Sequence, residues 1–240
     1  MKMNNTKSSE NHPDIEVLYE DNHIIAVNKS NRDLVQADQT GDTALIEKVK
    51  AYLKEKYNKP GNVYLGVIHR IDRPVSGVVL FAKTSKGLSR MNQLFKEKRI
   101  DKIYWALVKN KPQQPTGFLK HYLVRNTQKN KSYSYPAPRK NAKEGQLNYS
   151  LIAESNNYFL LEIKLLTGRH HQIRSQLSKI GCPIKGDLKY GFPRSNKDGG
   201  ISLHSRRISF THPVKNETIT IIANPPTDNL WNYFLDKIKN

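Results

Sequence analysis

One carboxylate, Asp72, lies between Arg70 and Arg73, shortly before the apolar run at residues 78–82. Bringing a charge close to a buried strand costs free energy unless a partner or a reaction compensates for it. Three interpretations are open: a structural ion pair with a neighbouring arginine, a metal ligand, or a catalytic carboxylate. The metal interpretation is disfavoured because the flanking charges are cations and no second acid is close in sequence.

A second group of candidate residues contains His170, His171 and Arg174. Adjacent histidines point about 100° apart on a helix, so they do not form the i, i+4 pair of a zinc protease. At the start of a helix they would instead donate to a phosphate or hold the turn. Arg174 lies beside the apolar stripe of Ile173 and Leu177, where it requires a carboxylate from elsewhere in the core.

Tyr104 is a third candidate. It alternates with Ile103 and Trp105 on a predicted strand, so its ring faces away from theirs. It either packs in the core or stacks on a nucleic-acid base, and spacing leaves both open. The one cysteine, Cys182, excludes an intramolecular disulfide framework and a Cys-based zinc cluster. No glycine-rich segment fits a P-loop or dinucleotide fingerprint, so nothing indicates an NTP or a redox cofactor.

The charge balance indicates the class of partner. The chain has 240 residues, with 40 Lys+Arg against 21 Asp+Glu, which gives a formal net charge of +19. Such an excess attracts polyanions, namely nucleic acid or an anionic membrane surface. No apolar run approaches the ~20 residues of a membrane helix, and the N-terminus lacks the apolar stretch of a signal peptide. We therefore expect a cytoplasmic protein that binds nucleic acid and no membrane.

The elements that must position these residues follow from the hydrophobic pattern. Strands are predicted at residues 15–19, 24–27, 78–82, 103–108, 146–152, 158–166, 203–210 and 217–223. Helices are predicted at residues 43–57, from 85, after 169 and from 228. Strands outnumber helices, and most links are too short for parallel crossovers. This predicts a single α+β domain at residues 14–240 on a largely antiparallel sheet, after a disordered tail at residues 1–13.

The segment at residues 126–144 has no apolar periodicity and is predicted to be a long loop. It interleaves tyrosines and prolines with basic residues, which are Lys129, Lys131, Arg139, Lys140 and Lys143. These cations are candidate contacts to nucleic-acid phosphates.

Four segments, in this order along the chain, resemble the RluA family of RNA pseudouridine synthases. Residues 69–84, which begin His-Arg-Ile-Asp-Arg-Pro, resemble the family signature, and residues 101–108 resemble its tyrosine strand. Residues 166–174 and 181–191 resemble its arginine helix and the following loop, and residues 203–213 resemble its terminal strand. The four segments lie within residues 15–226.

The resemblance implies the pseudouridine synthase fold, an extended mixed, mainly antiparallel sheet flanked by helices, with a central cleft for RNA. It places Asp72 at the catalytic aspartate, Tyr104 at the active-site tyrosine, and Arg174 at the arginine that keeps the aspartate ionised. The implied activity is isomerisation of specific uridines to pseudouridine in tRNA or rRNA, with flipping of the target base. It requires no metal and no organic cofactor, and no obligate protein partner is evident from the sequence. Arg70, Arg73, Arg169 and His170 join the five loop cations as candidate RNA contacts.

The chain departs from the family pattern in places. The segment at residues 28–33 lacks the proline and glycine of the common Lys-Pro-x-Gly motif, so we expect a different loop shape there. Only residues 1–14 precede the first predicted strand, and we therefore expect a stand-alone catalytic domain without an S4 domain. A catalytically silent RNA-binding protein on the same fold is the main alternative. A metal-dependent nuclease is a third, disfavoured by the lack of clustered acids.

Overall fold

The computed structural model of this chain describes residues 11–12, 15–38 and 41–239, which build one large sheet with helices on its faces. The strands are β1 (Asn11–His12), β2 (Ile15–Glu20), β3 (Ile24–Lys29), β4 (Gly66–Val67), β5 (Ser76–Ala82), β6 (Ile100–Val108), β7 (Thr116–Asn126), β8 (Lys131–Tyr135), β9 (Lys143–Glu154), β10 (Phe159–Leu165), β11 (Leu203–Thr211) and β12 (Thr218–Ile222). The helices are α1 (Leu45–Lys56), α2 (Ser85–Lys96), α3 (Gln172–Lys179) and α4 (Asn229–Lys239), and a 3-10 turn spans Leu188–Tyr190. None of the helices in the described ranges is long and apolar enough to cross a lipid bilayer.

The order of strands across the sheet is β1-β2-β3-β5-β11-β6-β10-β9-β7-β8. Strand β4 pairs with β5 at one side, and β12 pairs with β11. Among the described strands the one parallel pair is β5 with β11, and all the other pairs are antiparallel. The predicted α+β class with a mixed, mainly antiparallel sheet is confirmed.

The N-terminal tail is described only in part. Asn11–His12 form β1 and pair with β2, so these two residues do not belong to a disordered tail. The rest of the predicted tail, at residues 1–10 and 13, lies outside the described residues.

Strand β5 is apolar along its length because helices cover both of its faces. Val79 and Phe81 pack in the core beneath α1, whereas Val78 and Leu80 pack beneath α2 with Met91. All seven residues of β5 are buried, and a strand covered on both sides shows no polar alternation. The predicted buried strand is confirmed, and Asp72 lies in the segment that leads into it.

The two faces of β6 hold different cores. Tyr104 packs in the core that contains Ile173 of α3, whereas Trp105 packs against Trp231 of α4. The alternation predicted for Tyr104 and Trp105 is therefore confirmed. Because α3 lies on the Tyr104 side of the sheet, this face also receives Arg174, which α3 carries.

The prediction of a long loop at residues 126–144 is wrong. It contains β8 (Lys131–Tyr135), and β9 begins at Lys143. The period-2 pattern is present, but its buried positions are Ser132 and Ser134 instead of apolar residues. Ser134 Oγ lies 2.7 Å from Ser175 Oγ of α3, which satisfies the buried hydroxyls. A pattern that counts only apolar residues does not detect such a strand.

The parallel contact between β5 and β11 depends on Gly77. Gly77 pairs with Ser205, has φ +112°, and a Cβ there would collide with the Ser205 backbone. Both the backbone conformation and the close approach exclude a side chain.

We expect Gly77→Ala to lower the free energy of unfolding by at least about 2 kcal/mol, because the added methyl strains both strands. Urea unfolding measures the change. Gly168→Ala is the matched control, because no atom lies within 4 Å of a Cβ at that position. Equal stability of the two variants would contradict a tight β5–β11 contact.

Candidate active site

A cleft of about 1240 Å³ opens where loops from both halves of the sheet meet. Asp72, Tyr104, His171 and Arg174 all line it. They come from the segment before β5, from strand β6, and from the start and first turn of α3. The three residues assigned by the family resemblance therefore share one cavity, and their chemical roles stay predictions.

The Asp72 side chain is 29% exposed, and its nearest cations are not its sequence neighbours. Arg174 Nη1 donates to Asp72 Oδ2 at 3.1 Å. Arg73 Nη2 instead lies 2.6 Å from Asp42 Oδ2, and Arg70 is exposed at the edge of the cleft. The ion pair of Asp72 is thus with Arg174, and the carboxylate keeps access to the cleft.

Arg174 is held by a second carboxylate, Asp187, which carries no prediction from the sequence. Arg174 Nε donates to Asp187 Oδ2 at 2.7 Å, and Arg174 Nη2 donates to Asp187 Oδ1 at 2.9 Å. Arg174 is 5% exposed and Asp187 is 1% exposed. A bidentate pair fixes the plane of the guanidinium, so the remaining Nη1 group points at Asp72.

The charge of Arg174 is secured by the same contacts. Burial alone lowers the pKa of an arginine, but the hydrogen bonds and negative charges of Asp187 and Asp72 raise the pKa of Arg174 above its ordinary value. The signal in the sequence for a second carboxylate is the position of Arg174 beside an apolar stripe. A buried arginine needs its charge fully compensated, and the partly exposed carboxylate of Asp72 alone does not do this.

Tyr104 is 7% exposed and lines the cleft. Burial raises the pKa of its phenol to about 12; the negative charge of Asp72 acts in the same direction, and a hydrogen bond with Ser205 opposes it. The hydroxyl is therefore protonated at neutral pH. A neutral phenol can both donate and accept a hydrogen bond.

His171 lies between Tyr190 and Asp72. Its Nδ1 lies 3.0 Å from Tyr190 Oη, which donates to Ser132 O at 3.0 Å. Burial, together with the charge of Arg174, lowers the pKa of His171 to about 2, so the ring is neutral. Its Nε2 lies 3.5 Å from Asp72 Oδ2.

The two histidines hold a turn, one of the alternatives open from the sequence. His171 has φ 52° at the start of α3, and its ring stacks on His170 at 3.8 Å between centroids. His170 Nδ1 lies 2.8 Å from Ser132 Oγ. The contacts connect α3 to strand β8.

Lys29 is a further residue for which the sequence predicts no role at the site. The sequence shows only that it belongs to the altered loop at residues 28–33. Its side chain is 1% exposed, and Nζ donates to the carbonyl oxygens of Ser30, Asp33 and Arg73 at 2.6, 2.7 and 2.8 Å. Burial lowers the pKa of Lys29 to about 7, although the charges of Asp33 and Asp72 oppose the shift. These bonds hold the segment at residues 28–33 without its usual proline and glycine, and they anchor the backbone next to Asp72.

The candidate RNA contacts divide into two groups. Arg70, Arg73, Arg169 and His170 line the cleft. The other five, namely Lys129, Lys131, Arg139, Lys140 and Lys143, do not line it, because strand β8 carries this segment along the edge of the sheet. The cleft is also lined by basic residues that were not among the candidate RNA contacts, which are Lys96, Lys98, Lys102, Arg125 and Lys189.

Metal-ligating side chains do not cluster in this part of the molecule. Within residues 11–12, 15–38 and 41–239, no group of three or more His, Cys, Asp or Glu side chains is arranged to hold an ion.

The chain matches the model of the RNA pseudouridylate synthase family over residues 23–179. It belongs to this family. A ribosomal large subunit pseudouridine synthase C from Buchnera aphidicola is 32% identical over 215 residues, which cover 86% of this chain and 66% of that protein. A tRNA pseudouridine synthase C from Pectobacterium carotovorum is 28% identical over 227 residues, covering 87% of this chain and 58% of that protein. The chain thus spans about two thirds or less of the length of these relatives.

The fold agrees with this membership. The solved structure of human RNA pseudouridylate synthase domain containing 4 superposes with a TM-score of 0.75. The two chains are 21% identical, and the match covers 93% of this chain and 92% of the other. The predicted pseudouridine synthase fold is confirmed.

We expect Arg174→Met to lower the free energy of unfolding by about 3–5 kcal/mol, because it leaves the Asp187 carboxylate buried without its donors. Adding Asp187→Leu removes the unpaired buried charge and restores most of the lost stability. Urea unfolding of the single and double variants measures both effects.

Lys164→Met is the control, because Lys164 forms an exposed pair with Asp101 at 3.1 Å, and such pairs contribute less than about 1 kcal/mol. A single Arg174→Met variant as stable as this control would show that Asp187 does not need Arg174.

Proposed function

We propose that this protein isomerises uridine to pseudouridine in tRNA or rRNA, with Asp72 as the reacting carboxylate. The observation that carries the proposal is the placement of Asp72. It is a partly exposed carboxylate in a cationic cleft, held by Arg174 at 3.1 Å. Tyr104 lines the same cleft. An RNA-binding protein without catalysis has no need of this combination.

The reaction breaks the N1–C1′ bond of uridine, turns the base and joins C5 to C1′. The proton that leaves C5 is balanced by the proton gained at N1, so no atoms are lost. Asp72 either attacks C1′ or removes the C2′ proton to give a glycal, and both steps require an ionised carboxylate. Arg174 Nη1 donates to Asp72 Oδ2 at 3.1 Å and so places a positive charge beside this carboxylate.

Tyr104 is proposed to lie against the flipped base and to assist removal of the C5 proton. Its ring supplies the stacking surface. Because its pKa is raised to about 12, the phenol acts as a hydrogen-bonding group that relays the proton and not as a phenolate.

The cationic cleft is proposed to bind the phosphates around the target nucleotide. Opening the stack costs a few kcal/mol, and contacts with residues such as Arg70, Arg169 and Lys189 offset it. Two relatives are named for ribosomal large subunit RNA and for tRNA, so both classes belong in a substrate test.

Asp72→Asn is expected to slow tritium release from RNA labelled at uridine C5 by about 10³-fold or more, because the amide is neither a nucleophile nor a base. RNA affinity and melting temperature should stay close to those of the unmodified chain, because Asp187 still compensates Arg174. Asp236→Asn, on the exposed side of α4, is the matched control.

Three outcomes of this experiment would count against the proposal. Absence of tritium release from every tRNA and rRNA fraction by the folded protein would favour the silent RNA-binding alternative. Equal loss of binding and release in Asp72→Asn would make Asp72 structural. RNA cleavage that a chelator stops would instead indicate a nuclease.

Tyr104→Phe keeps the ring and removes the hydroxyl. We expect tritium release to slow by about 10²-fold or more, within the range for proton transfer by a positioned side chain, while RNA affinity is unchanged. Tyr104→Ala should reduce both. If Tyr104→Phe releases tritium at the unmodified rate, the hydroxyl takes no part in removing the C5 proton.

A further inference from the structure

The outer hairpin face is a surface of β7 and β8 formed by Phe118, Lys120, Tyr122, Lys131, Tyr133 and Tyr135. Tyr122 pairs with Tyr135 across the two antiparallel strands. Directly paired side chains lie on one face, and residues two apart along a strand share that face. The register therefore brings three tyrosines, one phenylalanine and two lysines together.

The opposite face of the hairpin is occupied by the core. Leu123, Ser132 and Ser134 are buried on it, and Ser134 contacts Ser175 of α3. The outer hairpin face is open by comparison. Phe118 is 54% exposed, and the three tyrosines are partly exposed.

Cations lie near two of these rings. Arg139 Cζ lies 3.9 Å from the centroid of the Tyr135 ring, whereas Lys131 Nζ lies 5.4 Å from that of Tyr133 and 4.9 Å from that of the buried Tyr190. Lys120 lies 3.0 Å from Glu144, whose negative charge is outnumbered by the three cations. Aromatic rings interleaved with Arg and Lys are the chemistry by which proteins stack single-stranded bases and hold their phosphates.

The surface lies on the face of the hairpin away from the cleft and reaches it around the hairpin tip, since Arg125 pairs with the inward Ser132. Arg125 and Asn130, at the tip of the same hairpin, line the cleft, and Asn130 Oδ1 lies 3.1 Å from His170 Nε2. From Lys131, the face extends about 14 Å along β8. An RNA strand that leaves the cleft over the hairpin tip reaches the outer hairpin face next.

We propose that the outer hairpin face binds a single-stranded segment of the substrate RNA that flanks the target nucleotide. The inference rests on the proposed function for the identity of the RNA. The net charge of +19 favours a polyanion over a second copy of this chain, because two copies repel each other.

The test compares two fluorescent RNA probes, a uridine-loop hairpin and the same hairpin with a twelve-nucleotide oligouridine tail at its 5′ or 3′ end. We expect the protein to bind one tailed probe at least tenfold more tightly by fluorescence anisotropy, because each base stacked on an aromatic side chain contributes measurably. Tyr133→Ala with Tyr135→Ala should abolish this gain and leave the affinity for the untailed hairpin unchanged.

Tyr233→Ala is the matched control, because Tyr233 is 45% exposed and Lys237 lies 5.7 Å from its ring on α4. It should retain the full gain. Arg139→Glu provides a second variant of the same face that does not remove a tyrosine, and it should also lose the gain.

The proposal is overturned if neither tail increases affinity, if the double variant retains the gain, or if Tyr233→Ala loses it equally. The proposal is also overturned if sedimentation shows that the unmodified protein is a dimer and that, among the variants, only the double variant is a monomer. Tail-dependent binding without tritium release from any RNA would contradict the proposed function and would still support RNA binding by the outer hairpin face.

Discussion

One guanidinium between two carboxylates is the interaction on which the rest of the site depends. Asp187 is buried and takes two hydrogen bonds from Arg174, whereas Asp72 is partly exposed and takes one. The two carboxylates therefore contribute unequally to compensating the charge of Arg174. Asp187 compensates the buried charge, which costs several kcal/mol to desolvate, and this allows Asp72 to remain open to the cleft.

The sheet makes this contact possible by joining distant parts of the chain. Asp72 and Arg174 are 102 residues apart, and β5 and β11 meet in a parallel pair that the glycine at position 77 permits. The strand that follows Asp72 is covered by helices on both faces. A carboxylate at the edge of so rigid a core has little freedom to swing away from its arginine.

Much of this arrangement could be predicted from the sequence. The apolar run of β5 and the alternation around Tyr104 are direct consequences of burial. The pairing of Asp72 with Arg174 followed from the motifs of the family. Asp187 and Lys29 could not be predicted, because a long-range salt bridge or a lysine that binds carbonyl oxygens leaves no periodic pattern. Strand β8 was missed because serines occupy its inward positions.

The tyrosine between β8 and the start of α3 has a mechanical consequence. Tyr190 binds both the backbone of Ser132 and the ring of His171, and that ring lies 3.5 Å from Asp72. An edge strand, a helix start and the Asp72 carboxylate thus belong to one short chain of polar contacts. A slip of β8 by a single residue along its neighbour would break the chain, so the register of the hairpin also sets the surroundings of Asp72.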